Sequence, residues 1–262
     1  MKWLRTIALS VGLHAAASAA TGTSVNVSDH WWSEGDSGWG LSITQQDDIA
    51  FVALYVYGDD RQPVWYTATG VRYGQDMAGN PGFQGALYRT TGPHHGGPFD
   101  PGQVQGTPVG TLTFEATGPA RAILVYDVAG VQVTKAMTRF TFRVRDWTGL
   151  YRGVQRANYR DCVPGFTPAF TYDDGLVDVE HEGSAFRMWF EGKKATCMYT
   201  GTYAQHGRLG RVTGNYACAD GPSGTFTLDG LETNQKAFAA RIDASHPSCG
   251  AATHDLAGLL LD

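Results

Sequence analysis

The chain predicts an all-β fold, with two small antiparallel barrels or sandwiches in tandem and disulfides stapling the second. Three observations carry this. Beyond residue 20, helical periodicity is almost absent, and short alternating runs are broken by Gly, Asp, Asn and Pro. Each half offers about seven or eight strand candidates, which suits a small barrel or sandwich. All four cysteines, Cys162, Cys197, Cys218 and Cys249, fall in the second half. The pattern restarts near Asp146-Trp147-Thr148-Gly149, so residues 21–145 read as an aromatic-rich β-domain and 146–262 as a cysteine-containing one.

Residues 1–20 read as a signal peptide. Lys2 and Arg5 form a short basic region, residues 7–17 are mostly apolar, and Ala17-Ser18-Ala19 and Ser18-Ala19-Ala20 are small-residue cleavage signals. The apolar run is shorter than the ~20 residues a bilayer span needs, and no later stretch approaches that length. Export to the periplasm or medium is expected, with a mature chain starting near Ala20 or Thr21. No cysteine near the cleavage point marks a lipoprotein. Loss of Lys2 and Arg5 takes the formal net charge from −5 to −7. An acidic exported chain without a Lys/Arg cluster is a poor partner for nucleic acid or anionic membranes.

Strands are expected near residues 40–46, 50–57, 64–70, 83–89, 109–116, 120–128 and 131–144. Asp47-Asp48 and Gly58-Asp59-Asp60-Arg61 supply turn chemistry, and the Pro- and Gly-rich stretch 91–105 reads as a loop. In FVALYVY, Phe51, Ala53, Tyr55 and Tyr57 share one face and Val52, Leu54 and Val56 the other. Two apolar faces predict a central strand covered on both sides.

The second half predicts strands near 149–155, 175–181, 185–190, 196–204, 211–218, 224–228, 237–243 and 253–261. One hairpin can be registered by its side chains. With its centre between Gly207 and Arg208, Cys197 faces Cys218, Tyr199 faces Tyr216, Gly201 faces Gly214 and Tyr203 faces Val212. Met198, Thr200, Thr202, Thr213 and Asn215 take the other face. This predicts a Cys197–Cys218 bridge and leaves Cys162–Cys249 as the second. The two crossed connectivities stay open, since direct cross-strand bridges are often strained. No CxxC spacing points to zinc or a redox pair, and no cofactor is implied.

Short motifs favour bland readings. Gly35-Asp36-Ser37-Gly38 matches four residues around a chymotrypsin-like serine, but Trp39-Gly40 follows and only His30 precedes it in the mature chain. A structural turn is the better reading, because a triad is defined by geometry, and no GxSxG elbow occurs. His94-His95, with Asp100 as a third candidate ligand, reads as a solvated loop. Glu180 and Glu182 would share a strand face as possible paired carboxylates. They read as the solvated face, with Val177, Val179 and His181 opposite.

The aromatic set is the strongest functional signal. Four of the seven tryptophans, Trp31, Trp32, Trp39 and Trp65, fall between His30 and Pro93 with Tyr66, Tyr88 and Arg89. Aromatics fill small β-domains well, so each has a core reading. The binding reading has several of them lining a groove or barrel mouth where sugars or apolar ligands stack, with Arg89, Gln45 or Gln46 orienting polar groups.

The phrases SGWGLSITQQ, PVWYTATG and GALYRTTGP, with PFDP and VGTLTF behind them, resemble secreted proteobacterial proteins in which a WW…SGWGLS…PVWY unit recurs singly or in tandem. The likeness covers roughly residues 28–145. The second half is more loosely similar to small cysteine-containing β-domains of exported proteins, through GTY…GRLG…GNYAC. That family has no characterised function. The resemblance therefore implies export and a β-rich module, and carries over no catalytic residue. The expected function is non-catalytic binding of a small apolar ligand, a glycan or a surface partner. The alternatives are an extracellular polymer hydrolase and a structural or adhesive surface protein.

Overall fold

The computed structural model describes residues 26–75, 81–219, 221–234 and 236–261. The expected signal peptide, 1–20, lies outside these residues. Sixteen strands form two closed, eight-stranded antiparallel barrels. The first contains β1 (Asp29–Trp32), β2 (Gly40–Gln46), β3 (Ile49–Tyr57), β4 (Pro63–Gln75), β5 (Pro81–Thr91), β6 (Gln105–Ala116), β7 (Arg121–Val128) and β8 (Val131–Arg139). The second contains β9 (Gly149–Cys162), β10 (Tyr172–Glu182), β11 (Ala185–Gly192), β12 (Thr196–His206), β13 (Leu209–Cys218), β14 (Ser223–Asn234), β15 (Ala237–His246) and β16 (Cys249–Leu260). Within each barrel, strands adjacent in sequence pair, and β1–β8 and β9–β16 close the two rings.

Alternation places every second side chain in a lumen. In the first barrel Trp31, Leu41, Ile43, Val52, Leu54, Leu87, Phe114 and Leu124 are buried together. The β3 expectation is corrected here. Val52, Leu54 and Val56 point inward, but Phe51, Tyr55 and Tyr57 are 43, 47 and 54 % exposed. A single closed sheet has no second layer to cover its outer wall. The last first-half strand is also shorter than its sequence pattern, ending at Arg139 rather than 144. There the chain leaves the ring, with the Phe140 amide donating to the His30 carbonyl at 2.8 Å.

β1 carries no alternation signal in four residues, yet it completes the ring. Trp31 pairs with Leu41 on one side and Arg139 on the other. Its indole Nε1 donates to the Val27 carbonyl (2.9 Å), its ring meets Phe114 edge-on, and the Arg139 guanidinium lies 4.5 Å above it.

In the second barrel the expected hairpin register holds residue for residue, from Cys197↔Cys218 through Tyr203↔Val212. The Gly201–Gly214 pair sits where the strands draw together. A Cβ on either would collide with the facing strand's carbonyl, Thr213 O or Thr200 O. Disulfides join Cys197 to Cys218 and Cys162 to Cys249. The second bridge closes the β9–β16 seam.

The barrels touch through the β12–β13 turn. Asp29 accepts from the Arg208 amide (2.9 Å), and the Gly207 amide donates to Thr141 Oγ1 (2.9 Å). Among the described residues, no helix is long and apolar enough to cross a membrane.

Candidate ligand cavity

The structure distributes the early aromatic set over separate environments. Trp31 is core. Trp32 is half-buried on the outer wall, edge-on to Phe140 at 5.5 Å. Trp39 and Tyr66 are half-buried against the core at one end of the first barrel. There Trp39 lies 6.2 Å from the Tyr126 ring, and Lys135, 5.6 Å from the Trp39 ring, bonds Asp36 at 2.8 Å. The Lys135 ammonium holds the Asp36 carboxyl below its usual range, while burial pushes the Tyr126 phenol up. Trp65, 53 % exposed, pairs across strands with Tyr55 on the outer wall. Tyr88 shares that wall through its pairing with Thr67, and Arg89 is exposed beside it. No single groove unites the set.

Gln45 has a structural use. Its carbonyl accepts from the Val27 amide at 2.7 Å and its amide donates to the Asp47 carbonyl at 2.7 Å. Ser37 is exposed in a turn closed by Asp36 N to Ser33 O and Trp39 N to Asp36 O. No hydrogen bond among the described residues joins it to a histidine. His94 and His95 are exposed, and Asp100 caps the short 3-10 turn Pro101–Gln103. Glu180 and Glu182 are exposed, with Glu180 paired to Arg187 at 3.1 Å. Among the described residues, no group of three or more His, Cys, Asp or Glu is arranged to hold a metal.

A cavity of about 580 Å³ lies elsewhere, at the end of the second barrel that carries both disulfides. Strand direction explains the location. β9 ends here and β16 begins here, so Cys162–Cys249 holds the seam at the mouth; β12 begins and β13 ends here, so Cys197–Cys218 forms part of the wall. The β9–β10 loop lies over the mouth. It is pinned by Val163 N to Ser248 O (2.9 Å) and Ala157 N to Thr171 O (3.0 Å). From it Phe166 packs against Tyr159 (5.4 Å) and His246 (5.2 Å), and Phe170 against His254 (5.9 Å).

Inward positions of the strands supply the remaining wall. Tyr199 and Tyr216 stack at 5.8 Å, and the Tyr216 hydroxyl donates to the Ser245 carbonyl at 2.7 Å. Burial pushes both phenols up, so they are neutral hydrogen-bonding groups. Asp173, near the start of β10, is 1 % exposed beneath the β11–β12 turn that carries Lys193 and Lys194. Its carboxylate accepts from the amides of Asp174, Lys193, Lys194 and Ala195 at 3.0–3.2 Å. A buried carboxylate is tolerated here because the turn amides satisfy it.

His254, 9 % exposed, is a buried polar residue of the cavity lining. Burial, then His246 nearby, pushes its imidazole down to about 4 against an opposing pull from Asp255. It is therefore neutral at pH 7. Gln155 Oε1 lies 3.2 Å from Nδ1, an assignment that places the proton on Nδ1. The Gln155 amide nitrogen is buried without a partner.

Sequence reasoning did not single out this site, although its hairpin register already put Tyr199, Tyr216 and the Cys197–Cys218 bridge on one face. What the register alone lacked was Tyr159 and His254, which ring closure brings to the same mouth. No family model and no curated protein matches the chain. The class defined by the fold is a tandem pair of closed antiparallel barrels, the second disulfide-stapled and holding the cavity.

Proposed function

We propose that this chain is an exported, non-catalytic binding protein that holds a small, largely apolar ligand in the second barrel. The observation that carries the reading is the aromatic cavity of about 580 Å³ at the stapled mouth. That volume falls within the roughly 300–1,000 Å³ typical of small-molecule sites, and its wall combines aromatic and aliphatic side chains with polar groups that could orient a ligand. Two disulfides fit an oxidising compartment. The basic and apolar leader and the resemblance to secreted proteobacterial proteins support export. A hydrolase would need a base beside Ser37 or carboxylates facing across a cleft; no hydrogen bond among the described residues joins Ser37 to a histidine, and Glu180 and Glu182 line one depression from the same strand, β10, rather than from opposite walls.

The test is equilibrium binding of N-phenyl-1-naphthylamine, an apolar probe whose fluorescence rises in dry sites. Saturable binding with Kd on the order of 1–10 μM is expected. Ala244→Phe, which fills the cavity from β15, should weaken it at least tenfold. Absence of saturable binding, or binding that Ala244→Phe leaves intact, overturns the reading.

A second reading has one specific observation behind it. Tyr55, Tyr57 and Trp65 lie exposed on the outer wall of β3 and β4, and Tyr88 continues the strip on β5. Such a strip suits stacking on the faces of an extended glycan. Retardation in an affinity gel containing β-glucan, lost in Trp65→Ala, would support it; equal mobility of both proteins would remove it.

A further inference from the structure

We infer that the second-barrel cavity is built for a monoanionic amphiphile, an aryl or acyl carboxylate whose apolar body enters the barrel while its charge rests at Lys194. The inference depends on the cavity being a binding site, and it adds the ligand's charge and orientation.

The charges around the cavity are one-sided. Among the described residues its lining contains Lys193, Lys194, His246 and His254 but no Asp or Glu. This stands against a chain of formal net charge −5. Among the described residues, the two carboxylates beside the β11–β12 turn are already committed. Asp173 is buried and turned toward four backbone amides. Asp174 takes the Lys193 ammonium at 2.9 Å.

Lys194 differs from its neighbour. Its ammonium is anchored at 2.8 Å on the Tyr172 carbonyl, and among the described residues it meets no carboxylate. Among the described residues that leaves one uncompensated cation on the rim, matched to one negative charge. The amides of the same turn offer no competing anion cradle, since Asp173 consumes those of residues 193–195.

The interior sets the other end. Tyr159, Phe166, Phe170, Tyr199 and the Cys197–Cys218 bridge make an apolar body's environment. A charged group there would lose its hydration without a counter-ion, so the anion belongs at the rim. Both histidines have lowered pKa values from burial, so they stay neutral at pH 7 and do not compete for the charge.

The experiment displaces bound N-phenyl-1-naphthylamine from the full mature protein with 2-naphthoate or with 2-naphthamide, which share a shape and differ in charge. Naphthoate should bind about fivefold more tightly, the upper range for an ion pair at an exposed rim. In Lys194→Gln the ratio of the two affinities should fall to about one. The ratio is insensitive to any general loss of binding. Lys193→Gln should keep most of the preference, because Asp174 already holds that charge. Equal affinities in the natural chain, or an unchanged ratio in Lys194→Gln, overturn the anion inference and leave the cavity reading standing. Failure of the naphthylamine probe itself to bind overturns both.

Discussion

Gln155 Oε1 lies 3.2 Å from His254 Nδ1, bridging the β9–β16 seam inside the second barrel. The two positions are diagonal neighbours, since Gln155 pairs with Leu256 and His254 with Ala157. Both side chains point inward among aromatic rings, so the seam that closes the barrel carries a polar contact where most of the core is apolar. A neutral imidazole satisfies this contact; an imidazolium would be a buried cation, with the Asp255 carboxylate on the outward face of the strand.

This fixes the sign of a pH effect. His254 titrates near 4 in the fold and near 6.5 in an unfolded chain. Between those values the unfolded state binds more protons, so stability falls as pH drops from 6.5 toward 4. The loss attributable to this residue is roughly 3 kcal/mol across the window. Urea unfolding at pH 7 and pH 4 should show a smaller difference in His254→Leu than in the natural chain. Equal acid slopes would mean that His254 does not govern it.

The two disulfides should contribute unequally. Cys162–Cys249 closes 87 residues of chain and Cys197–Cys218 closes 21. Loop-closure entropy then gives about 4–5 kcal/mol for the first and about 3 kcal/mol for the second. Paired Cys→Ser variants compared by denaturant midpoint check the order. The Cys162/Cys249 variant should also bind the naphthylamine probe more weakly, because the bridge sets the base of the loop that carries Phe166 and Phe170.

Arg139 is the corresponding buried polar anchor of the first barrel. Its side chain is fully buried and donates to the carbonyls of Asn26, Ser28 and Pro119 and to the Asp29 carboxylate at 3.1 Å. Arg139→Met removes all of these partners at once and should cost about 3–5 kcal/mol, chiefly by stranding the buried Asp29. Asp29→Asn should cost less, since it keeps an acceptor for the Arg208 amide. Thermal melts of both variants test this, and a larger loss in Asp29→Asn would reverse the assigned roles.

The sequence was most readable where identical or chemically matched residues face each other. Between Thr196 and Cys218 the Cys, Tyr and Gly pairs allow one consistent register, and the structure has it. Alternation also located most strands, because inward and outward positions differ in polarity. It misled at β3, where the outward residues are themselves aromatic and the wall looks like a second core face. It was silent at β1, whose four residues are too few for a period. The cavity was least legible. Tyr159 on β9, Tyr199 on β12 and His254 on β16 share a mouth only after the ring closes, and no local pattern encodes ring closure.

The early tryptophans separate by the same logic, and substitution should separate them experimentally. Trp31 is 1 % exposed and packed by Phe114 and Arg139. Trp31→Ala would leave a cavity and an unstacked guanidinium, for a loss of about 3–5 kcal/mol. Trp65 is 53 % exposed and keeps only its outer-wall neighbours. Trp65→Ala should cost less than about 1 kcal/mol, the scale of one cross-strand pair. Trp39 falls between them, since its half-buried ring carries Lys135 and faces Tyr126. Chemical unfolding of the three single variants should rank the losses Trp31, Trp39, Trp65. A cooperative loss of fold in Trp65→Ala would make the outer strip structural and would remove it as a glycan platform.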